Sequence, residues 1–308
     1  MTTNIKNQTF GMELEFTGIT REKAAMAISQ EITGERYNFT REPGYDRRVI
    51  RDERGRKWTI CRDSSVSSTE RGGEFVTPIC TYEDIEIDGI IQRCVRALKR
   101  AGAKVDNSCG LHVHVGADKH TAKSLKNLVF TFKAKQDLIY KAVEAEDRKR
   151  NRYCKPIGEN LIENLKKVKK INDENIKDTW YETYAPYQNR EQHYNMSRYH
   201  GLNLHSVWYR GTVEFRLFHA TLHAGKVRAY INLCLAMSAQ AINSSRASAE
   251  VLDNGNEKYA MRCWLLRLGF IGDEWKTVRE HLTKNLSGNA AWKNDPNSYD
   301  SYRRQRAS

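Results

Sequence analysis

The chain has 308 residues, with 51 lysines and arginines against 38 aspartates and glutamates, a net charge of +13 and seven cysteines. That length buries a full core, as one large domain or two ordinary ones. No apolar run approaches the ~18 residues of a membrane span, the polar N-terminus lacks a signal-peptide core, and the scattered cysteines form no C-x-x-C. These features exclude a disulfide framework and a zinc knuckle, and they lead us to expect a soluble protein of the reducing cytoplasm.

The net charge of +13 suits a polyanionic partner such as nucleic acid or a polyphosphate ligand, and equally a solubilising surface of exposed helix faces. The basic excess concentrates in 36–57, in 148–170 and at the end of the chain. It lacks the regular aromatic interleaving of a single-strand binding platform.

In chain order, 11–16 reads as a strand with Met12, Leu14 and Phe16 on one face and Glu13 and Glu15 on the other. Two carboxylates about 7 Å apart on one face repel by about 2 kcal/mol at an effective dielectric near 20. Buried, such a pair requires a cation; on a solvent-facing strand it requires none. Thr20 caps a helix bearing Ala24, Ile28 and Ile32, stopped at Gly34. Residues 36–62 are charged, with turn signals at Pro43-Gly44 and Arg54-Gly55 and a hairpin ending in 58–62. Asp63-Ser64-Ser65 and Ser67-Ser68 read as loop, and Gly72-Gly73 opens a short strand at 74–77. An amphipathic helix is predicted over 84–101, with Ile87, Ile90, Ile91, Cys94, Val95 and Leu98 at helical spacing.

In 109–115, Leu111, Val113 and Val115 alternate with His112 and His114. Thr121 caps a long helix, and 148–195 reads as a basic insertion holding one short helix at about 158–170. Strand 201–208 sets Asn203 and His205 opposite Leu202 and Leu204. Strand 212–219 sets Glu214 and Arg216 opposite Val213, Phe215 and Leu217. Gly225 leads into a further helix, two more end near Leu286, and 287–308 reads as a polar, disordered tail.

Strands with one apolar and one functional face, taken together, predict an α+β fold: a sheet with helices on one side and a charged floor on the other. That floor carries Glu13, Glu15, His112, His114, Asn203, His205, Glu214 and Arg216. Carboxylates with imidazoles form a ligand set for Mg²⁺ or Mn²⁺, while the H-x-H pair with a glutamate also suits Zn²⁺. Arg216 beside such ions serves either as a phosphoryl clamp or as an ion-pair partner of Glu214 or Glu13. No P-loop, no G-x-G-x-x-G and no G-x-S-x-G elbow occurs.

Gly11-Met12-Glu13-Leu14-Glu15-Phe16, Gly73-Glu74-Phe75-Val76-Thr77-Pro78, Gly110-Leu111-His112-Val113-His114 and Thr212-Val213-Glu214-Phe215-Arg216, with Arg198 and Gly201-Leu202-Asn203 before the last, resemble the amidoligases. These are carboxylate–amine ligases of the glutamine synthetase / glutamate–cysteine ligase superfamily. The resemblance covers roughly 10–235 within a catalytic domain expected over 1–286. It implies a largely antiparallel sheet of the glutamine synthetase-like type, binding ATP and two or more divalent ions, Mg²⁺ or Mn²⁺.

By the same resemblance, Glu13, His112 and Glu214 would hold one metal and Glu15 with Glu74 another. His114, Arg216 and Asn203 would face the nucleotide, with His114, Arg216 and Arg198 catalytic and Arg198 on the substrate or acyl phosphate. Val76 shares the face of Glu74, so Glu74 is expected at a strand end or bulge. The implied partners are a small-molecule or peptide carboxylate, glutamate-like by preference, and an amine, with no membrane. The rival readings are a basic nucleic-acid-binding protein and a metal-dependent hydrolase built on the H-x-H.

Overall fold

The computed structural model describes residues 2–66, 70–251 and 255–291; the expected loop residues Ser67 and Ser68 and most of the expected tail, 292–308, lie outside them. Its strands are β1 (Phe10–Thr17), β2 (Thr40–Glu42), β3 (Arg47–Arg51), β4 (Lys57–Cys61), β5 (Gly72–Val76), β6 (Gly110–Gly116), β7 (Leu202–Asn203) and β8 (Thr212–His219). They form one eight-stranded sheet in the order β2-β3-β4-β5-β1-β6-β8-β7, and every ladder among the described residues is antiparallel. β1 therefore lies inside the sheet, between β5 and β6.

Alternation dictates which face is covered. Phe10, Met12, Leu14 and Phe16 of β1 and Leu111, Val113 and Val115 of β6 are each at most 2% exposed. Burying each such side chain contributes about 1.5–3 kcal/mol. The cover comes from α1 (Arg21–Thr33), α2 (Ile90–Arg100), α3 (Ala122–Ala142) and α7 (Ala224–Asn243). The Thr20 hydroxyl accepts from Lys23 N at 3.2 Å to cap α1, and Gly34 ends it in the left-handed conformation. α7 is apolar nearly all round because α2, α3 and α9 (Lys276–Thr283) surround it. α4 (Glu159–Lys167) and α5 (Asp173–Tyr184) pack on each other and on α3, while α6 (His205–Arg210) sits beside β8 and α8 (Glu257–Arg267) beside α9. No helix among the described residues is long and apolar enough to cross a membrane.

The chain departs from the periodicities in several places, each with a local cause. The helix expected over 84–101 starts at Ile90, because Asp88 has φ of 66° and Gly89 is the N-cap, which leaves Ile87 at 74% exposure. Strand 201–208 shortens to β7, where the Asn203 side-chain oxygen accepts from His205 N at 2.8 Å and turns the chain into α6. His205 thus leaves the floor, and its Nδ1 lies 2.6 Å from the Tyr181 hydroxyl. Residues 148–195 hold two main helices, α4 and α5, where one was expected.

Glu74 sits within β5 in regular register, opposite Glu15 and opposite Cys61, with no bulge and not at a strand end. Val76 on the same face is the half-buried neighbour of Glu13. The bulge lies instead in β8: Val113 pairs with Phe215 but Leu111 pairs with Phe218, so two residues, Arg216 and Leu217, oppose His112. The core-facing series there runs Val213, Phe215, Phe218. Phe215 meets Phe132 of α3 at 6.4 Å and Phe218 stacks on Tyr230 of α7 at 4.6 Å.

Candidate active site

Directly opposed residues of an antiparallel ladder share a face, with Cβ atoms about 5 Å apart. The registers oppose Glu15 to Glu74, Glu13 to His112, His114 to Glu214 and Asn203 to Glu214. All of these expected residues therefore meet on the face away from the helix layer. Glu13 is at the centre. Its carboxylate lies 3.2 Å from His112 Nδ1 and 3.5 Å from His114 Nε2, and it accepts from Arg210 at 3.4 Å. Glu214 accepts from Arg216 and from Asn203 and lies 3.6 Å from His114 Nε2 and 3.9 Å from His112 Nδ1. Arg216 thus forms the ion pair with Glu214 that the sequence allowed.

The charges sort into two regimes. Burial alone would raise Glu13 and Glu214, but the neighbouring imidazoles and the Arg216 guanidinium outweigh it. His114 and His112 hold Glu13 well below its ordinary value, and Arg216, His114 and His112 hold Glu214 at about 2. Burial lowers His114, yet Glu214 and Glu13 raise it overall. At the other end, burial pushes Glu74 well above its ordinary value, with Glu13, Glu15 and Asp63 adding repulsion. Burial likewise raises Glu15 against the pull of His112 and the Gly110 N–H. Acidic charge accumulates around Glu74 faster than cationic side chains neutralise it.

Among the described residues, three ligand sets have atoms within 4.8 Å of one another: Glu13, Glu74 and His112; Glu13, His114 and Glu214; and Glu15, Asp63 and Glu74. The fit to a divalent cation rests on one further observation. His114 Nδ1 pairs with the Thr212 hydroxyl at 3.1 Å, while Nε2 is buried without a hydrogen-bond partner and faces both carboxylates. With Nδ1 as the donor, Nε2 offers a lone pair between two anionic oxygens, which is a metal-ligand geometry. The two imidazoles of the H-x-H fall in different sets, joined by Glu13, whereas a single zinc would gather both.

Two cavities meet at this cluster. One, of about 360 Å³, is lined by Glu15, Asp63, Glu74 and His112 below and by Arg148, Tyr153, Tyr194, Arg198 and Arg216 around. The other, of about 350 Å³, is lined by Phe10, Met12, Val76, Pro78 and Ile79 and by backbone at Gly11, Gly116 and Gly211. Glu13 and Arg210 line both.

The wall holds residues that periodicity could not find. Asp63 was legible only as loop; its carboxylate accepts from Ser65, whose hydroxyl lies 3.3 Å from Glu15. Arg148 is 6% exposed and donates to the Arg216 carbonyl at 3.4 Å; its only signal was membership of a basic run. A Cβ at Gly110 would lie 3.1 Å from Arg148 Nη2 and 3.1 Å from His112 Nε2, so glycine there admits both side chains. Arg198 donates to His193 O at 3.1 Å, its guanidinium lies 5.5 Å from the centre of the Tyr194 ring, and burial with the nearby Arg216 charge lowers its pKa. In the basic segment 36–57, Arg41 and Arg48 pair with Glu22, Arg54 with Glu83, and Arg56 with Asp52 and Asp84.

No curated protein matches the chain. Among solved structures it is similar to a bifunctional glutathione synthetase from Pasteurella multocida, with 11% identity, a TM-score of 0.42 and coverage of 91% of this chain. The chain spans 47% of the length of that enzyme. A family model described as "Putative amidoligase enzyme" matches residues 6–238, a span that contains every ladder of the sheet and both cavities at Glu13. The chain belongs to the amidoligase family.

Proposed function

We propose that this chain is an ATP-dependent carboxylate–amine ligase of the glutamine synthetase-like type, working through an acyl phosphate, with 1–286 acting as one catalytic unit. The observation that carries the reading is the meeting of two unlike cavities at one cluster of carboxylates and imidazoles. The apolar cavity beside Phe10, Pro78 and Ile79 suits a nucleobase. The charged cavity suits an anionic carboxylate substrate, glutamate-like or carried by a peptide, held by Arg148, Arg198 and Arg216.

A free carboxylate is a poor acyl donor because its leaving group would be oxide. Transfer of the γ-phosphoryl group of ATP to a carboxylate oxygen breaks the bond from the γ-phosphorus to the bridging oxygen and leaves ADP. Attack of the amine on the acyl carbon then expels phosphate, and the amine loses a proton as the amide forms. Divalent ions, when bound, supply charge neutralisation at the phosphates. Glu13, Glu15, Asp63, Glu74, His112, His114 and Glu214 are the residues that would hold them, and Asn203 fixes one oxygen of Glu214. Arg216, paired with Glu214, carries a planar fork suited to the transferring group, and Arg198, which lines the charged cavity, would meet the acyl side.

The reading is tested by incubating the enzyme with ATP, Mg²⁺, an amine and carboxylate substrates labelled with ¹⁸O. An acyl phosphate carries one carboxylate oxygen into inorganic phosphate, so ¹⁸O-phosphate is the expected product. Unlabelled phosphate accompanying amide formation would contradict the mechanism.

A further inference from the structure

Arg210 owes its position to the early end of β7. Because Asn203 turns the chain into α6, residue 210 falls at the C-terminal end of a six-residue helix. Gly211 stops that helix with φ of 73°, and its carbonyl accepts from Ala117 N at 2.9 Å, which pins the turn to the end of β6. The Ser206 and Thr212 hydroxyls, 2.8 Å apart, tie α6 to the start of β8. The backbone beneath Arg210 is therefore fixed to the same strands that carry His114 and Glu214.

The side chain is aimed as well. Its Nη2 donates to His193 Nε2 at 2.9 Å, and its Nη1 donates to Glu13 at 3.4 Å. His193 is held in turn by a stack: its ring lies 5.3 Å from Tyr209, Tyr209 lies 5.5 Å from His205, and His205 Nδ1 meets the Tyr181 hydroxyl at 2.6 Å. Accepting from a guanidinium requires an unprotonated Nε2, so His193 orients Arg210 without neutralising it. Glu13, the one ion-pair partner of Arg210 among the described residues, is shared with His112 and His114. The guanidinium, 44% exposed, keeps charge to offer an anion.

Among the described residues, Glu13 and Arg210 alone line both cavities. Arg198 and Arg216 line only the charged one, and Arg216 is buried and paired with Glu214. On the ligase reading, the γ-phosphorus exchanges its bridging oxygen to ADP for a carboxylate oxygen where the cavities meet, with negative charge spread over its three outer oxygens. Glu13 repels that group, and Arg210 is the cation that lines both sides of the crossing. We propose that Arg210 is a catalytic residue that meets the phosphoryl group in transit between the two cavities. This role rests on the ligase reading. It asks more of Arg210 for the transferring group than for bound ADP, since only the former brings charge to the junction.

Aluminium fluoride with ADP and Mg²⁺ stands in for a transferring phosphoryl group, so the test needs no carboxylate substrate. The affinity of the full chain for ADP is measured by calorimetry in Mg²⁺, with and without aluminium fluoride. Aluminium fluoride should tighten ADP binding to the wild type. Arg210→Gln should lose about tenfold or more of that gain, while its affinity for ADP alone stays within about threefold of wild type. Arg210→Lys, which keeps the cation but not the planar fork, should lose most of the gain too and guards against misfolding of the glutamine variant. Arg54→Gln removes an exposed arginine paired with Glu83 outside both cavities and should keep the gain whole. A full gain in either Arg210 variant, an equal loss for ADP alone, or an equal loss in Arg54→Gln would overturn the role of Arg210 and leave the ligase reading standing. No tightening in the wild type would count against the ligase reading itself, and the role of Arg210 would fall with it.

Discussion

Replacing Glu74 by glutamine should stabilise the metal-free protein, because that residue concentrates the unpaired negative charge of the floor. Glu74 and Glu15 are directly opposed on neighbouring strands, so their carboxylates lie about 5 Å apart, and at an effective dielectric near 20 their repulsion is about 3 kcal/mol. Protonation sets a ceiling on this cost. At pH 7.5, three units above the ordinary value of 4.5, taking up a proton costs about 4 kcal/mol and would relieve any larger repulsion. Relief of about 2–3 kcal/mol corresponds to a rise of about 4–6 °C in Tm for a domain of this size.

The pH dependence has a definite sign. The folded-state pKa of Glu74 is raised, so above 4.5 the folded chain binds more protons than the unfolded one and loses stability as pH rises. The gain from Glu74→Gln should therefore be nearly absent at pH 5 and full at pH 8. Calorimetry in EDTA at both pH values measures it. A variant no more stable than its parent at pH 8, or a gain as large at pH 5, would refute the reasoning.

Three further outcomes follow from the same geometry. Mn²⁺ with ATP should raise the Tm of the parent by mass action, and Glu13→Gln combined with Glu214→Gln should abolish that rise while the metal-free protein still unfolds cooperatively; a full shift in the double variant would remove these two from the ligand set. Arg216→Lys keeps the charge but loses the planar fork, so turnover should fall at least tenfold with nucleotide affinity little changed, as measured by separate kinetic and binding titrations; near-normal turnover would leave Arg216 as only the ion-pair partner of Glu214. Gly201→Ala would drive a Cβ into the buried Tyr140 hydroxyl, which donates to the Cys154 carbonyl at 2.8 Å, and should cost about 2–4 kcal/mol in denaturant unfolding.

What the sequence made legible follows from how each residue reaches the floor. Glu13, Glu15, His112, His114 and Glu214 sit on β1, β6 and β8, where strict alternation with buried apolar neighbours announces both the strand and the face. Glu74 was accessible only through the resemblance of its motif, since Val76 beside it hid the period; on this floor a half-buried valine next to Glu13 is simply tolerated. His205 was misplaced because alternation does not record where a strand stops, and the Asn203 side chain stops β7 after two residues. Asp63, Arg148, Arg210 and Tyr194 reach the cavities from a loop, a helix end and the basic insertion. Their places are decided by tertiary approach, which leaves no period to read. The β8 bulge escaped for a similar reason: only the partner register exposes an extra residue that the strand alone conceals.

The most direct test of the ligase reading is the nucleotide product of a trapped acyl transfer. Hydroxylamine replaces the natural amine and converts an acyl phosphate into a hydroxamate, so the enzyme is incubated with ATP, Mg²⁺, hydroxylamine and a panel of acidic amino acids, γ-glutamyl peptides and carboxylate-bearing peptides. Hydroxamate formed with one equivalent each of ADP and inorganic phosphate is the predicted result. Hydroxamate accompanied by AMP and pyrophosphate would contradict it, because the carboxylate would then have been activated by adenylation.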